Sequence, residues 1–435
     1  MSSTTRVGFV AGASMLAVST VSLAGTGMDA QDYEARIMEL ERQVAQLRGD
    51  DRAEARSEEI RAIVNEALAD ADTRSSLLQS GMVAGWDDGF MLGSQDGAFT
   101  LRISGQLQTR FVANLREDSG DDDTEYGFET RRAKLSFSGN VVDSSWKYNV
   151  RGAFDRTSGE FELEQASIDK VMDSMTIRFG QFKPLYLREE NILSGKQQAV
   201  ERSLANERYT QDYVQGIQVS WEQDNFKLAG AVHDGFGSRN TSAVDQQSEF
   251  AFNARADVLL AGNWSQFDDY AGFRGQEYGA RVGGGFFWEK DAYGSSAVSN
   301  EAEQYGFTVD GQVEGDGWSA AAAFIWRTTD TGASGDPDEM ALVVQGGYFV
   351  TDNDELFARW TYADDDGGDD FEEINVITAG WNHYLSGHDA KLSFDVVYAL
   401  DSIGTDFATS GAGIQADAAD EDGQLALRGQ FQLLF

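Results

Sequence analysis

The chain has 435 residues, a formal net charge of -39, no Cys, and two Pro against 47 Gly. Without Cys there is no disulfide scaffold, thiolate metal site or Cys nucleophile, and the acidic balance argues against a nucleic-acid partner, since phosphate backbones are bound by an excess of Lys and Arg. Past the N-terminus no run of 18 apolar residues could form a membrane helix, which leaves a closed barrel as the way this chain could span a bilayer.

Residues 1–24 read as a secretory signal, with Arg6 as the positive start, an apolar stretch from Val7 to Val21, and Ser22-Leu23-Ala24 as a small-x-small cleavage site. Residues 25–80 are predicted helical. Tyr33, Ile37, Leu40, Val44 and Leu47 fall at steps of four and three, the seam of a short coiled coil. About two and a half heptads are marginal alone, so the helix is expected to borrow stability from an oligomer assembled elsewhere. It reads as an oligomerising or tethering helix, with a single amphipathic helix lying on a neighbouring surface as the alternative. Residues 81–97 read as a linker.

From residue 98 to 435 the period is two. Phe99, Leu101, Ile103, Gly105, Leu107 and Phe111 alternate with Thr100, Arg102, Ser104, Gln106, Gln108 and Arg110, one apolar face and one polar face of a strand. The pattern recurs as sixteen predicted strands down to 423–435, an even number as bacterial barrels require. The fold class is therefore all-β: a 16-stranded antiparallel transmembrane β-barrel preceded by a short N-terminal coiled-coil helix. Short connections such as Gln223-Asp224-Asn225 would face the periplasm, with the N-terminal helix. Long acidic ones, Glu117–Glu129, Asp364–Glu373 and Asp401–Asp422, would face outside. The final strand ends on Phe435, read as the assembly signal that the barrel-assembly machinery recognises. The apolar face would meet outer-membrane lipid, and sixteen strands leave a water-filled lumen.

Chemistry is sparse. His233, His383 and His388 sit in no nucleophile or metal motif, and Asp121-Asp122-Asp123 and Asp364-Asp365-Asp366 lack EF-hand spacing. No catalytic residue, metal or cofactor is expected. One connection stands apart: 184–212 is long, mixed in charge, and carries Leu185, Leu187, Ile192, Leu193 and Leu204, which would be wasteful in solvent. It reads as a loop folded into the barrel, with Lys183, Arg188, Glu189, Glu190, Lys196, Glu201, Arg202 and Arg208 narrowing the pore; a lid on top is the alternative.

Ile177-Arg178-Phe179-Gly180-Gln181-Phe182-Lys183-Pro184, followed by Glu201-Arg202-Ser203-Leu204, together with Arg131-Arg132-Ala133-Lys134-Leu135 upstream, resembles the phosphate-selective porin O and P family. Leu356–Tyr362 and Thr378–Leu385 are similar in kind. The resemblance implies a trimeric general or anion-preferring channel with its long third loop in the lumen. The charge pattern adds Arg102, Arg110, Arg132, Lys134, Lys147, Arg151, Arg178, Arg255, Arg281, Arg327, Arg359, Lys391 and Arg428 on the predicted inward face. These would either attract small anions or pair with acids across the lumen, and acidic mouths would repel anions. The expected function is passive outer-membrane diffusion of small hydrophilic solutes, with anions and phosphate as candidates. Rivals are an envelope tether gripping the cell wall through the N-terminal helix and, with so few His, a barrel enzyme.

Overall fold

The computed structural model describes residues 34–42, 82–86, 89–118, 121–242, 250–290, 303–330, 338–368, 371–417 and 423–435. The chain divides into two units, Met1–Leu77 and Leu78–Phe435. In the first, residues 34–42 form helix α1, on which Ile37 and Leu40 are both 54% exposed. The signal segment 1–24 and the seam positions Tyr33, Val44 and Leu47 lie outside the described residues.

The second unit begins with a hairpin, β1 (Met82–Trp86) and β2 (Phe90–Ser94), where the sequence reading placed a linker. Then come β3 (Thr100–Asp118), β4 (Asp121–Asn140), β5 (Trp146–Phe154), β6 (Phe161–Met172), β7 (Met175–Phe182), β8 (Val214–Glu222), β9 (Phe226–His233) and β10 (Ala251–Ala261). The series continues with β11 (Gly279–Lys290), β12 (Glu303–Gly315), β13 (Trp318–Asp330), β14 (Asp338–Phe349), β15 (Asp354–Gly368), β16 (Phe371–Ser386), β17 (Ala390–Ala399) and β18 (Leu425–Leu434). Each strand from β3 onward pairs antiparallel with the next. β18 returns to β3 through ten partners, Leu425↔Leu115 to Leu434↔Gln106. Sixteen strands thus close a barrel.

The alternation reverses the rule for a water-soluble sheet. On β12 the apolar Phe307 and Val309 are exposed while Thr308, Asp310 and Gln312 are at most 4% exposed. On β17 Leu392 and Phe394 are exposed while Lys391, Ser393 and Asp395 are buried. Apolar side chains outside and polar ones inside is the pattern of a barrel in lipid. The hairpin β1–β2 extends the same sheet: β2 pairs with β3 at Phe90↔Ile103 through Gly93↔Thr100, directly beyond the point where β18 stops. It thereby occupies part of a β3 edge that would otherwise carry unpaired backbone groups.

Three connections depart from the sequence reading. The predicted loop Glu117–Glu129 is largely strand, because pairing of β3 with β4 continues to Asp118↔Asp121, helped by Phe111 packing on the rings of Tyr126 and Phe128. Asp364–Glu373 is likewise mostly drawn into β15 and β16. The described part of Asp401–Asp422 is folded inward, with Ile403, Phe407, Ala412 and Ile414 all buried.

At the seam, Gly105 N–H donates to Phe435 O at 2.6 Å and Phe435 N–H donates to Gly105 O at 3.0 Å. A Cβ at position 105 would overlap the Phe435 ring. Gly105→Leu is therefore expected to strain closure by about 1–3 kcal/mol and to lower the fraction of protein migrating as folded barrel in unboiled gels. Removing Phe435 should do the same.

Candidate functional site: the lumen and its constriction

The site begins at a break in strand alternation. Gly180 has φ +115, and a Cβ there would overlap the carbonyl oxygen of Ala166. In this conformation, open to Gly, β7 ends with Gln181 and Phe182 both buried. The chain then enters the lumen through 183–213. Here helix α2 (Arg188–Asn191) is followed by a 3-10 turn at Ser194–Lys196 and helix α3 (Leu204–Tyr209), whose first turn is capped by Ser203 Oγ accepting from Asn206 N at 3.0 Å. Tyr186, Leu187, Leu204, Ala205 and Tyr209 join Phe287, Ile325, Val343, Val376 and Val397 of the wall in one apolar core. This core lies inside the barrel, where burial removes the loop's apolar surface from water.

Charge pairing fixes the loop further. Glu201, 2% exposed, accepts from Arg110 at 2.9 Å, from Arg131 at 2.7 Å and from Arg132 at 2.7 Å. Arg131 is the residue that alternation misses. Gln108 pairs with Arg132 but Thr109 with Thr130, so Arg131 is the extra residue of a bulge, and a bulge re-aims side chains. Two adjacent Arg in a lipid-facing strand were the available signal, since alternation alone would send one into lipid. Burial raises the proton affinity of the Glu201 carboxyl, but Arg131, Arg132 and Arg110 outweigh it and hold the group well below its ordinary value of 4.5.

Six other charged residues of the loop, all of those expected except Lys196, are also engaged among the described residues. Glu189 accepts from Ser203 N at 2.8 Å and Ser203 Oγ at 2.5 Å, and Arg359 lies 3.2 Å away. Glu190 pairs with Lys183 and, at 3.4 Å, with Arg202, which also donates to the carbonyls of Glu189 and Ile192. Arg188 donates to the carbonyl of Phe267, and Arg208 reaches Glu339 at 3.1 Å and Asp406 at 3.0 Å.

Most wall cations are paired instead of free. Arg255 and Arg281 share Asp257 and Asp310, Arg327 meets Glu339, Arg178 meets Asp169 at 2.8 Å, and Lys134 meets Glu164 at 2.6 Å. Arg428 forks onto Asp395 at 2.7 and 2.8 Å. Several clamp loop backbone: Lys391 donates to Gln197 O, Arg110 to Gly411 O, Arg428 to Ala412 O, and Arg116 to Ala416 O. The segment 401–417 is thus a second inward loop, tied to the first by Tyr209 against Phe407. Its Ile403, Phe407 and Ile414 were the signal, apolar residues in an otherwise acidic stretch. Arg102 is half-buried on the inner face and Lys147 is exposed.

An open cavity of about 680 Å³ remains, reaching from the constriction loop to the end where Phe435 sits. Its lining carries Lys134, Arg151, Arg178, Lys183, Lys196 and Arg202 against only Glu190 and Asp389. Among the described residues Arg151 Nε donates to a hydroxyl, Ser136 Oγ at 2.9 Å, and neither Arg151 nor Lys196 has an ion pair to a carboxylate.

Glu201→Gln leaves three guanidiniums around a neutral group and should loosen the loop by about 3–5 kcal/mol, seen as faster proteolysis within 184–212 and noisier current. Because the native carboxyl is depressed below 4.5, its stabilisation is complete above that pH and is lost as pH falls through the native value. Wild-type current noise should stay constant from neutral pH to about 5 and rise only in stronger acid.

Residues 102–403 match the family described as phosphate-selective porin O and P. No curated protein matches the chain. Among solved structures, the anion-selective porin from Comamonas acidovorans is similar at 12% identity and TM-score 0.55, covering 77% of this chain and 99% of that one. OmpT of Vibrio cholerae is similar at 15% identity and TM-score 0.52, over 78% and 98%, and the channel DcaP of Acinetobacter baumannii at 13% and 0.52, over 81% and 100%. At these identities the structures speak to the fold, whereas the family match covers both the wall and the constriction loop: the chain belongs to the phosphate-selective porin O and P family.

Proposed function

We propose that the protein is a passive outer-membrane channel for small hydrophilic solutes with a preference for anions, phosphate among them. The observation that carries this is the cavity below the constriction loop, whose lining carries six cationic side chains, four of them ion-paired and two, Arg151 and Lys196, not. Low-dielectric walls concentrate such a field and raise the local concentration of counter-charged solute. Arg151 and Lys196, without carboxylate partners among the described residues, supply the part of the field that no ion pair cancels. No energy source is invoked; solutes run down their gradients.

The protein works as a homotrimer in this reading, with the short turns and the N-terminal helix in the periplasm. A trimer form is described for the Vibrio cholerae OmpT, and the exposed Ile37 and Leu40, three residues apart on α1, suit helix pairing between copies.

Purified protein in planar bilayers tests the proposal: ohmic conductance is expected, and a silent protein would end the channel reading. In a KCl gradient the reversal potential should favour chloride, while a potassium preference would refute anion selectivity. Arg151→Gln with Lys196→Gln should lower the anion-to-cation permeability ratio about two-fold or more, because two uncompensated charges leave the path.

A further inference from the structure

At the end of the barrel where Phe435 sits, six connections are short, two to five residues each, but β10 and β11 are joined by seventeen residues, 262–278. This segment does not hang from the rim. Asn263 caps a 3-10 turn, Trp264–Asp268, in a reciprocal capping box with Gln266. Phe267, Tyr270 and Ala271 are buried, at 3%, 6% and 0% exposure. A Cβ at Gly272 would overlap the Trp318 carbonyl oxygen, so the backbone here lies directly on the wall.

The contacts brace the segment from several sides. Gln312 of β12 donates to Asp269 O at 2.8 Å, and His388 Nε2 lies 3.1 Å from Asp269 Oδ2. The Phe273 ring sits 5.1 Å from Phe349, 5.0 Å from Tyr384 and 5.5 Å from His388. The Phe267 carbonyl accepts from Arg188 of the constriction loop. Two segments entering from opposite ends of the barrel therefore meet in the lumen.

Two cavities border these segments, and both touch Leu185 and Asn191 of the constriction loop. On one side, between the segment and β7–β10, lies a cavity of about 300 Å³, where Arg255 and Arg281 are neutralised by Asp257 and Asp310. On the other lies the larger cavity of about 680 Å³ over β4–β7, on whose wall Lys134 and Arg178 are paired with Glu164 and Asp169 while Arg151, like Lys196 of the constriction loop, has no ion pair to a carboxylate among the described residues. We infer that residues 262–278 form a second constriction that holds passing solutes against the cationic β4–β7 wall, so that the segment determines selectivity as well as width. The inference rests on the channel reading above. With the segment gone, the charge-balanced side of the lumen joins the path, and an ion crosses farther from the uncompensated charges, where water and salt screen them.

Two variants in planar bilayers test it, each checked for folded-barrel migration in unboiled gels: one with 263–277 replaced by a two-residue Asn-Gly turn, and the milder Phe267→Ala/Tyr270→Ala double substitution, which keeps the backbone intact if the first fails to fold. Single-channel conductance is expected to rise about two-fold in the shortened variant, with the anion-to-cation permeability ratio falling toward one, and the double substitution should move both in the same direction. Folded variants with wild-type conductance and ratio, or with higher conductance at an unchanged ratio, overturn the inference while leaving the wild-type channel reading intact. A silent wild-type protein overturns both.

Discussion

Everything in this molecule follows from the need to pair every backbone N–H and C=O where no water can reach them. A sheet in hydrocarbon cannot leave an edge, so β18 must return to β3, and the chain's last residue is itself part of that seam through its two hydrogen bonds with Gly105. Closure fixes the alternation, and alternation puts Arg, Gln, Asp and Glu on the inside. The polar interior then raises a second problem, since charges partly removed from water need partners. The constriction loop and the segment 401–417 supply them, as carboxylates and as backbone carbonyls.

This explains why so many wall arginines are anchors. A guanidinium has five donors in a fixed fork, and on this wall the fork is shared between an acid and a loop carbonyl: Arg428 takes Asp395 and Ala412 O, Arg110 takes Glu201 and Gly411 O, and Arg255 takes Asp310 and Tyr186 O. The same residues that make the lumen cationic on paper thus hold its plugs in place. The field that a solute meets comes from the remainder, near β4–β7, where pairing is incomplete.

Much of the wall was legible beforehand. The two-residue period placed the strands, and the apolar residues of 184–212 announced that this stretch is packed. Other features were hidden by the same rules that revealed these. Strict alternation forbids Arg131 and Arg132 from sharing a face, and only a bulge, which depends on the β3 register, lets both reach Glu201. The acidity of 117–129 suggested solvent, yet cross-strand pairs such as Phe111 with Phe128 support a hairpin whose pairing runs on to Asp118↔Asp121, beyond the last β18 partner at Leu115. In 262–278 the aromatics Trp264, Phe267, Tyr270 and Phe273 recur every third residue, a signal of packing that a connection between strands is not expected to carry.

The sequence by itself determined that the chain forms a barrel with a lipid face and a polar face, because period and composition are local properties that each strand states for itself. Which inward cations are spent on loops and which are left to a solute was decided only by the tertiary structure. That depends on which carboxylates and carbonyls the closed wall brings within hydrogen-bond reach, from residues as far apart in the chain as Arg110 and Gly411.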